Sequence, residues 1–195
     1  MAYAGPTITN AVSGERITFI RTSADTGGEV LEVELELSPD GHVPGLHVHP
    51  RQEERFEVLE GTMSFRLGRR KVTAGPGETV VVPAGAAHKF ANGGDTPARC
   101  RVEVRPALKM EQLFETACGL AEEGKTTRKG MPRPLHLALF VHAFRDEVQA
   151  PFPPAWMQRA SLAPLAAIAR LRGHDARYRP AATPAPAPAA VPAFA

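Results

Sequence analysis

The sequence predicts a mainly β fold, a sandwich or a barrel, followed by a helical segment. Three observations carry that prediction. Between Glu15 and Arg105, short β-rich runs are separated by Gly, Pro, Asp and Asn. From Met110 the apolar residues change to helical spacing. The last stretch, "RPAATPAPAPAAVPAFA", is Pro/Ala-rich and of low complexity. The expected division is a β domain over 1–108, a helical extension of two to four helices over 109–178, and a disordered, partly polyproline tail over 179–195. No internal repeat is visible.

The clearest strand is "EVLEVELEL". Leu31, Val33, Leu35 and Leu37 alternate with Glu32, Glu34 and Glu36, the period of a strand buried on one face. "RITFIRT", "FEVLEG", "MSFRLG", "RKVTAG", "ETVVVP" and "HKFAN" continue the series. "ARCRVEVR" closes it, with Cys100, Val102 and Val104 on one face and Arg99, Arg101, Glu103 and Arg105 on the other. Many short strands with turns between them are the pattern of a sandwich or barrel.

Three helical stretches follow. "MEQLFETACGLAEEGK" places Leu113, Phe114, Ala117 and Leu120 at helical spacing, and Gly124 can end the helix. "PRPLHLALFVHAFRDEVQ" starts after a proline and is apolar on most faces, so it must be buried. "PPAWMQRASLAPLAAIARLRG" reads as a third helix, or as two short ones broken at Pro164.

Composition narrows the class. Hydrophobic residues make up 43% of 195, enough for a packed interior. The net charge of +2 argues against a dominant acidic or basic partner. Two cysteines, Cys100 and Cys118, cannot build a disulfide framework and are expected as free thiols. The N-terminal stretch lacks a basic region followed by an apolar one, and no apolar run reaches transmembrane length; a cytoplasmic chain is expected.

Within "GLHVHPRQEERFEVLEG", His47 and His49 stand two apart and so project from one face of an extended chain. Two imidazoles on one face can reach one cation. Glu54, Phe56 and Val58 then alternate along the next strand, which would carry Glu54 into the same interior; Glu53 falls on the solvated side. "GETVVVPAGAAHKFAN" brings a further histidine, His88, on a strand entered through the Pro83–Gly85 turn. His42, His136, His142 and His174 are read as structural or surface histidines; the six-residue spacing of His136 and His142 does not face one metal on a helix.

These two segments resemble the two motifs of the cupin superfamily. Gly41, His47, His49, Glu54 and Gly61 fill the first pattern, G(X)5HXH(X)3,4E(X)6G. Gly77, Pro83, Gly85, His88 and Asn92 fill the second, G(X)5PXG(X)2H(X)3N. The resemblance covers residues 30–105 and implies a single jelly-roll β-barrel. It also implies one divalent transition metal held by His47, His49, Glu54 and His88. Imidazole and carboxylate suit Fe, Mn, Ni, Cu and Zn alike. Glu54 is the expected catalytic residue, since a carboxylate can detach and act as a base. Asn92 matches the motif without an evident chemical role. Phe56, Val58 and Phe90, in phase with the ligands, are expected to line the pocket.

The leading functional expectation is a metal-dependent, dioxygenase-like oxidoreductase of the quercetinase kind, acting on a small molecule. The alternatives are a non-catalytic binding or sensing protein and an isomerase or decarboxylase. A DNA-reading role is disfavoured, because "LHLALFVHAF" is too apolar for a recognition helix, and no nucleic-acid partner is expected. The helices are expected to pack within the chain or in a homodimer, with membrane-surface contact as the lesser alternative.

Overall fold

The computed structural model describes residues 5–175. The tail expected over 179–195 lies outside them. Nine strands and three helices follow in order among the described residues: β1 Thr7–Asn10, β2 Glu15–Arg21, β3 Leu31–Leu37, β4 Glu53–Glu60, β5 Met63–Leu67, β6 Arg70–Ala74, β7 Thr79–Val82, β8 His88–Asn92, β9 Ala98–Arg105, α1 Met110–Glu122, α2 Pro134–Ala143 and α3 Ala155–Leu171. The strands form two antiparallel sheets, β1-β2-β3-β9-β4-β7 and β6-β5-β8, which make the jelly-roll barrel.

The alternation in "LEVELEL" has the expected consequence. Leu31, Val33, Leu35 and Leu37 are buried, and the intervening glutamates are half-buried on the outer face. There Glu34 and Glu32 meet Arg99 and Arg101 of the neighbouring β9, at 3.2 and 3.3 Å. The two sheets are joined inside by an aromatic cluster. Phe56 of the larger sheet packs on Phe65 and Phe90 of the smaller, with ring centroids 5.2 and 5.1 Å apart. Burying each ring contributes about 1.5–3 kcal/mol.

Gly61 turns β4 into β5 with φ +70°, and a Cβ there would meet Pro97 O at 2.6 Å. Both facts exclude any other residue without backbone movement.

Two differences from the sequence expectation concern strands. β1 is an additional strand; its four residues are too few to show a period. The "HVH" stretch is extended but forms only isolated bridges, His47 with His88 and Val48 with Gln149. Pro44 and Pro50 lack the N–H a ladder needs, and Gly45 at φ +89° breaks the extended run.

The helices close over the barrel. Met110, Leu113 and Cys118 of α1, with Phe144 just after α2, belong to the same buried core as the strands. α2 meets α3 through Leu135, Ala138, Leu139, Ala166 and Ala169. α3 runs unbroken through Pro164, so one helix replaces the two-helix alternative. Pro164 and Ala160, whose carbonyl the proline leaves without a helical partner, are both exposed, so water can satisfy that carbonyl. No helix of the described residues is long and apolar enough to cross a membrane.

Candidate metal centre

His47, His49, Glu54 and His88 come together, with one ligand atom from each within 4.8 Å of the others. β4 brings Glu54 inward on its buried face, and Glu53 is exposed, as the alternation requires. His88 opens β8 and is fully buried. His47 is fixed against it by reciprocal backbone bonds, His47 N to His88 O at 2.9 Å and His88 N to His47 O at 2.8 Å. The rings of His47 and His88 lie 4.3 Å apart.

Each imidazole has its Nδ1 against a backbone carbonyl. His47 Nδ1 is 3.2 Å from Gly45 O, His49 Nδ1 is 2.5 Å from Glu147 O, and His88 Nδ1 is 3.0 Å from Ala86 O. A carbonyl only accepts, so each Nδ1 carries the hydrogen and donates it. In the neutral imidazole, the form that ligates a metal, each Nε2 is then left with a lone pair. His88 Nε2 then faces Glu54 Oε2 at 2.8 Å, yet both atoms are buried without a hydrogen-bond partner. Two buried acceptors in that position need a cation or a proton between them. The donor set therefore fits a metal ion, with the carbonyls orienting the ligands from behind.

The electrostatics agree in direction. Burial alone would raise the Glu54 carboxyl, but His49 and His88 hold it well below the usual carboxylate range. Burial works to lower His49, and the Glu54 carboxylate, 3.4 Å away, outweighs it, so His49 is raised. Burial, reinforced by His49 and His88, lowers His47 to about 3.

A cavity of about 380 Å³ opens beside the cluster. His47, His49 and Glu54 form part of its wall, and His88 lies behind them. The rest is mostly apolar and comes largely from the helices: Leu113 and Phe114 of α1, Leu137, Phe140 and Val141 of α2, and Leu162 of α3. This explains why α2 is apolar on most faces: one side meets α3 and another faces the cavity.

Phe56, Val58 and Phe90, expected as pocket lining, lie instead in the barrel core and are not among the residues lining the cavity. They are deeper along their strands than Glu54 and His88. A barrel this narrow is filled by its own side chains, so the free space lies at its mouth, under the helices.

Several contributors have no motif to announce them. Glu147 offers its carbonyl to His49 and its carboxylate to Lys109 N at 3.2 Å, tying the end of the α2 region to the start of α1. Gln149 pairs with Val48, N to O at 2.8 and 2.9 Å. Glu15 also lines the cavity; its one visible signal is that "ERITF" sets it in phase with the buried Ile17 and Phe19. Asn92 acquires a structural role. Its Nδ2 donates to Leu37 O, Ser38 O and Thr96 O at 3.2, 2.9 and 2.8 Å, and its Oδ1 accepts from Gly94 N at 2.8 Å. The rings of His136 and His174 lie 4.7 Å apart and tilted at 53°, away from the cluster, and Cys100 and Cys118 are buried free thiols.

A jelly-roll barrel with three histidines and a glutamate converging at its mouth defines a class of candidate metal-binding barrel. Residues 33–104, which contain the whole cluster, match the cupin domain family, so this part of the chain is a cupin domain. It is 35% identical over 88 residues to germin-like protein 1 of Brassica napus, covering 43% of this chain and 42% of that protein. It is 28% identical over 79 residues to the tetracenomycin polyketide synthase protein TcmJ of Streptomyces glaucescens, covering 40% of this chain and 52% of that one. The chain thus spans about half the length of these curated relatives. Among solved structures it is similar to the polyketide cyclase RemF of Streptomyces resistomycificus. That match has 27% identity and a TM-score of 0.43, covering 54% of this chain and 70% of the other.

Proposed function

We propose that this protein binds one divalent transition metal through His47, His49, Glu54 and His88 and uses it on a small, largely apolar organic molecule held in the adjoining cavity. The chemistry it fits best is that of a metal-dependent, quercetinase-like dioxygenase. The observation that carries the reading is the convergence of three Nε2 lone pairs and one ionised carboxylate on the wall of a mostly apolar cavity. When bound, the metal would supply a Lewis acid for a substrate oxygen and, if redox-active, a path for electrons to dioxygen.

The chain's own residues do the remaining work. The carbonyls of Gly45, Ala86 and Glu147 hold the imidazoles in a fixed tautomer. Glu54 is held ionised by His49 and His88, the form that would ligate a metal; its carboxylate becomes a base for a substrate hydroxyl only when it detaches from those partners. Phe114, Phe140 and Leu113 exclude water and provide an apolar surface for the substrate body. A second reading keeps the same site but dispenses with dioxygen, as in an isomerase or decarboxylase. The match to a polyketide synthase protein favours it, since such chemistry acts on oxygenated carbon frameworks.

Metal content of untagged protein after metal-supplemented expression tests the common part. About one equivalent per chain is expected, and less than about a tenth overturns the reading. Oxygen uptake with flavonols, diketones and catechols then separates the two chemistries, and binding without turnover marks a non-catalytic protein. Glu54→Gln should abolish turnover of any substrate so found; unchanged turnover removes Glu54 from the chemistry.

A further inference from the structure

The cavity contains a second carboxyl, remote from the metal cluster. Glu15 opens β2 with its side chain on the face that buries Ile17 and Phe19, and it lines the cavity with Asn10. Ser13 Oγ donates to Glu15 Oε2 at 2.5 Å, and Ser13 N is held by Asn10 Oδ1 at 3.2 Å. Among the described residues, Oε1 has no hydrogen-bond partner, and Glu15 is one of the residues lining the cavity.

Glu15 and the cluster mark separate parts of this space. β3 and β9 lie between β2 and β4 in the sheet. The connection between the two regions is short: His42 N donates to Ser13 O at 2.9 Å, and five residues later His47 bridges His88. Five residues span at most roughly 18 Å. Val43, Pro44 and Leu46, on that connection, line the cavity between the two polar groups.

We propose that Glu15 is a positioning and specificity residue, hydrogen-bonding a hydroxyl or carbonyl oxygen at the end of an apolar substrate remote from the metal. The proposal rests on the reading that the cluster holds the near end of that substrate through its oxygens. As an acid Glu15 would donate to a carbonyl; as a carboxylate it would accept from a hydroxyl. Burial raises this carboxyl to about 7, against the opposing effects of Ser13 and of His42. The other titratable group close enough to couple with it is Cys118 of α1.

The test is equilibrium binding to the zinc-loaded full chain of two probes: flavonol, and the same flavonol with one hydroxyl at the far end of its phenyl ring. The wild type should bind the hydroxylated probe about tenfold or more tightly, the worth of a hydrogen bond to a charged group. In Glu15→Leu that ratio should fall to near one with zinc content unchanged. A ratio that persists in Glu15→Leu overturns the proposal, as does equal wild-type affinity for the two probes. If the wild type binds neither probe, the functional reading falls and this one with it. Should Glu15→Leu not fold, Glu15→Gln decides. It keeps a donor and an acceptor without a titrating proton, so its ratio should be flat across pH 7 where the wild-type ratio changes. A wild-type ratio equally flat overturns the role.

Discussion

Asn92, at the end of β8 in the smaller sheet, ties itself to backbone of the larger sheet, with which β8 has no strand pairing. Its amide reaches Leu37 and Ser38 at the end of β3 and Thr96 before β9, while its carbonyl oxygen receives Gly94 N. Only a side chain with two donor hydrogens and an acceptor can do this. Asn92→Ala should cost roughly 1–3 kcal/mol, read as a lower urea midpoint, without changing metal stoichiometry. Glu15 makes the opposite contribution at neutral pH. Its carboxyl is raised by burial from 4.5 to about 7, so its stabilising effect is present below pH 4.5 and is lost as pH rises through about 7. Glu15→Gln should therefore be more stable than the wild type near pH 8.5, by up to about 3 kcal/mol, and should lose that advantage as pH falls toward 4.5. Denaturant midpoints at the two pH values check the sign.

Two elements decide how the site is held. The segment 42–49 carries His47 and His49 along β8 through single bridges rather than a ladder. It depends on the 147–150 segment from the other side, where Gln149 pairs with Val48 and Glu147 O receives His49 Nδ1. The segment after α2 is thus part of the candidate metal site, since Glu147 and Gln149 hold the stretch that carries His49. Gln149→Pro removes the N–H given to Val48 O and should loosen His49. Metal affinity should fall about 10–100-fold, the usual effect of disturbing the groups behind a ligand, while the barrel stays folded. Competition with a chelator, alongside far-ultraviolet circular dichroism, measures both. The strands were legible at this scale because one buried face writes a period of two into the sequence. α2 was legible only as buried, because a helix between a cavity and a second helix carries no polar stripe to show which side is which.

For the whole molecule, proton competition sets when the site can be loaded. His49 has a raised proton affinity and His47 a lowered one, so the first proton to compete with the metal as pH falls resides on His49. Metal affinity should decrease as pH falls from about 8 to 5, and metal binding should release protons increasingly over that range. Titration in weakly buffered solution reads this release, and none across that range removes His49 from the ligand set.

By itself the sequence determined the barrel, the helical segment after it and the four residues that converge. Alternation marks the strands, and the spacing of His47, His49, Glu54 and Gly61 distinguishes Glu54 from Glu53. Tertiary structure alone decided where the empty space lies and what surrounds it. Phe56, Val58 and Phe90 share a phase with the ligands, but phase tells only which side a residue faces. Whether that side is packed or open depends on the width of the barrel and on helices that follow it along the chain. The carbonyls of Gly45, Ala86 and Glu147 were beyond sequence reading for a related reason: every residue has a carbonyl, and only the fold selects the three that meet a histidine.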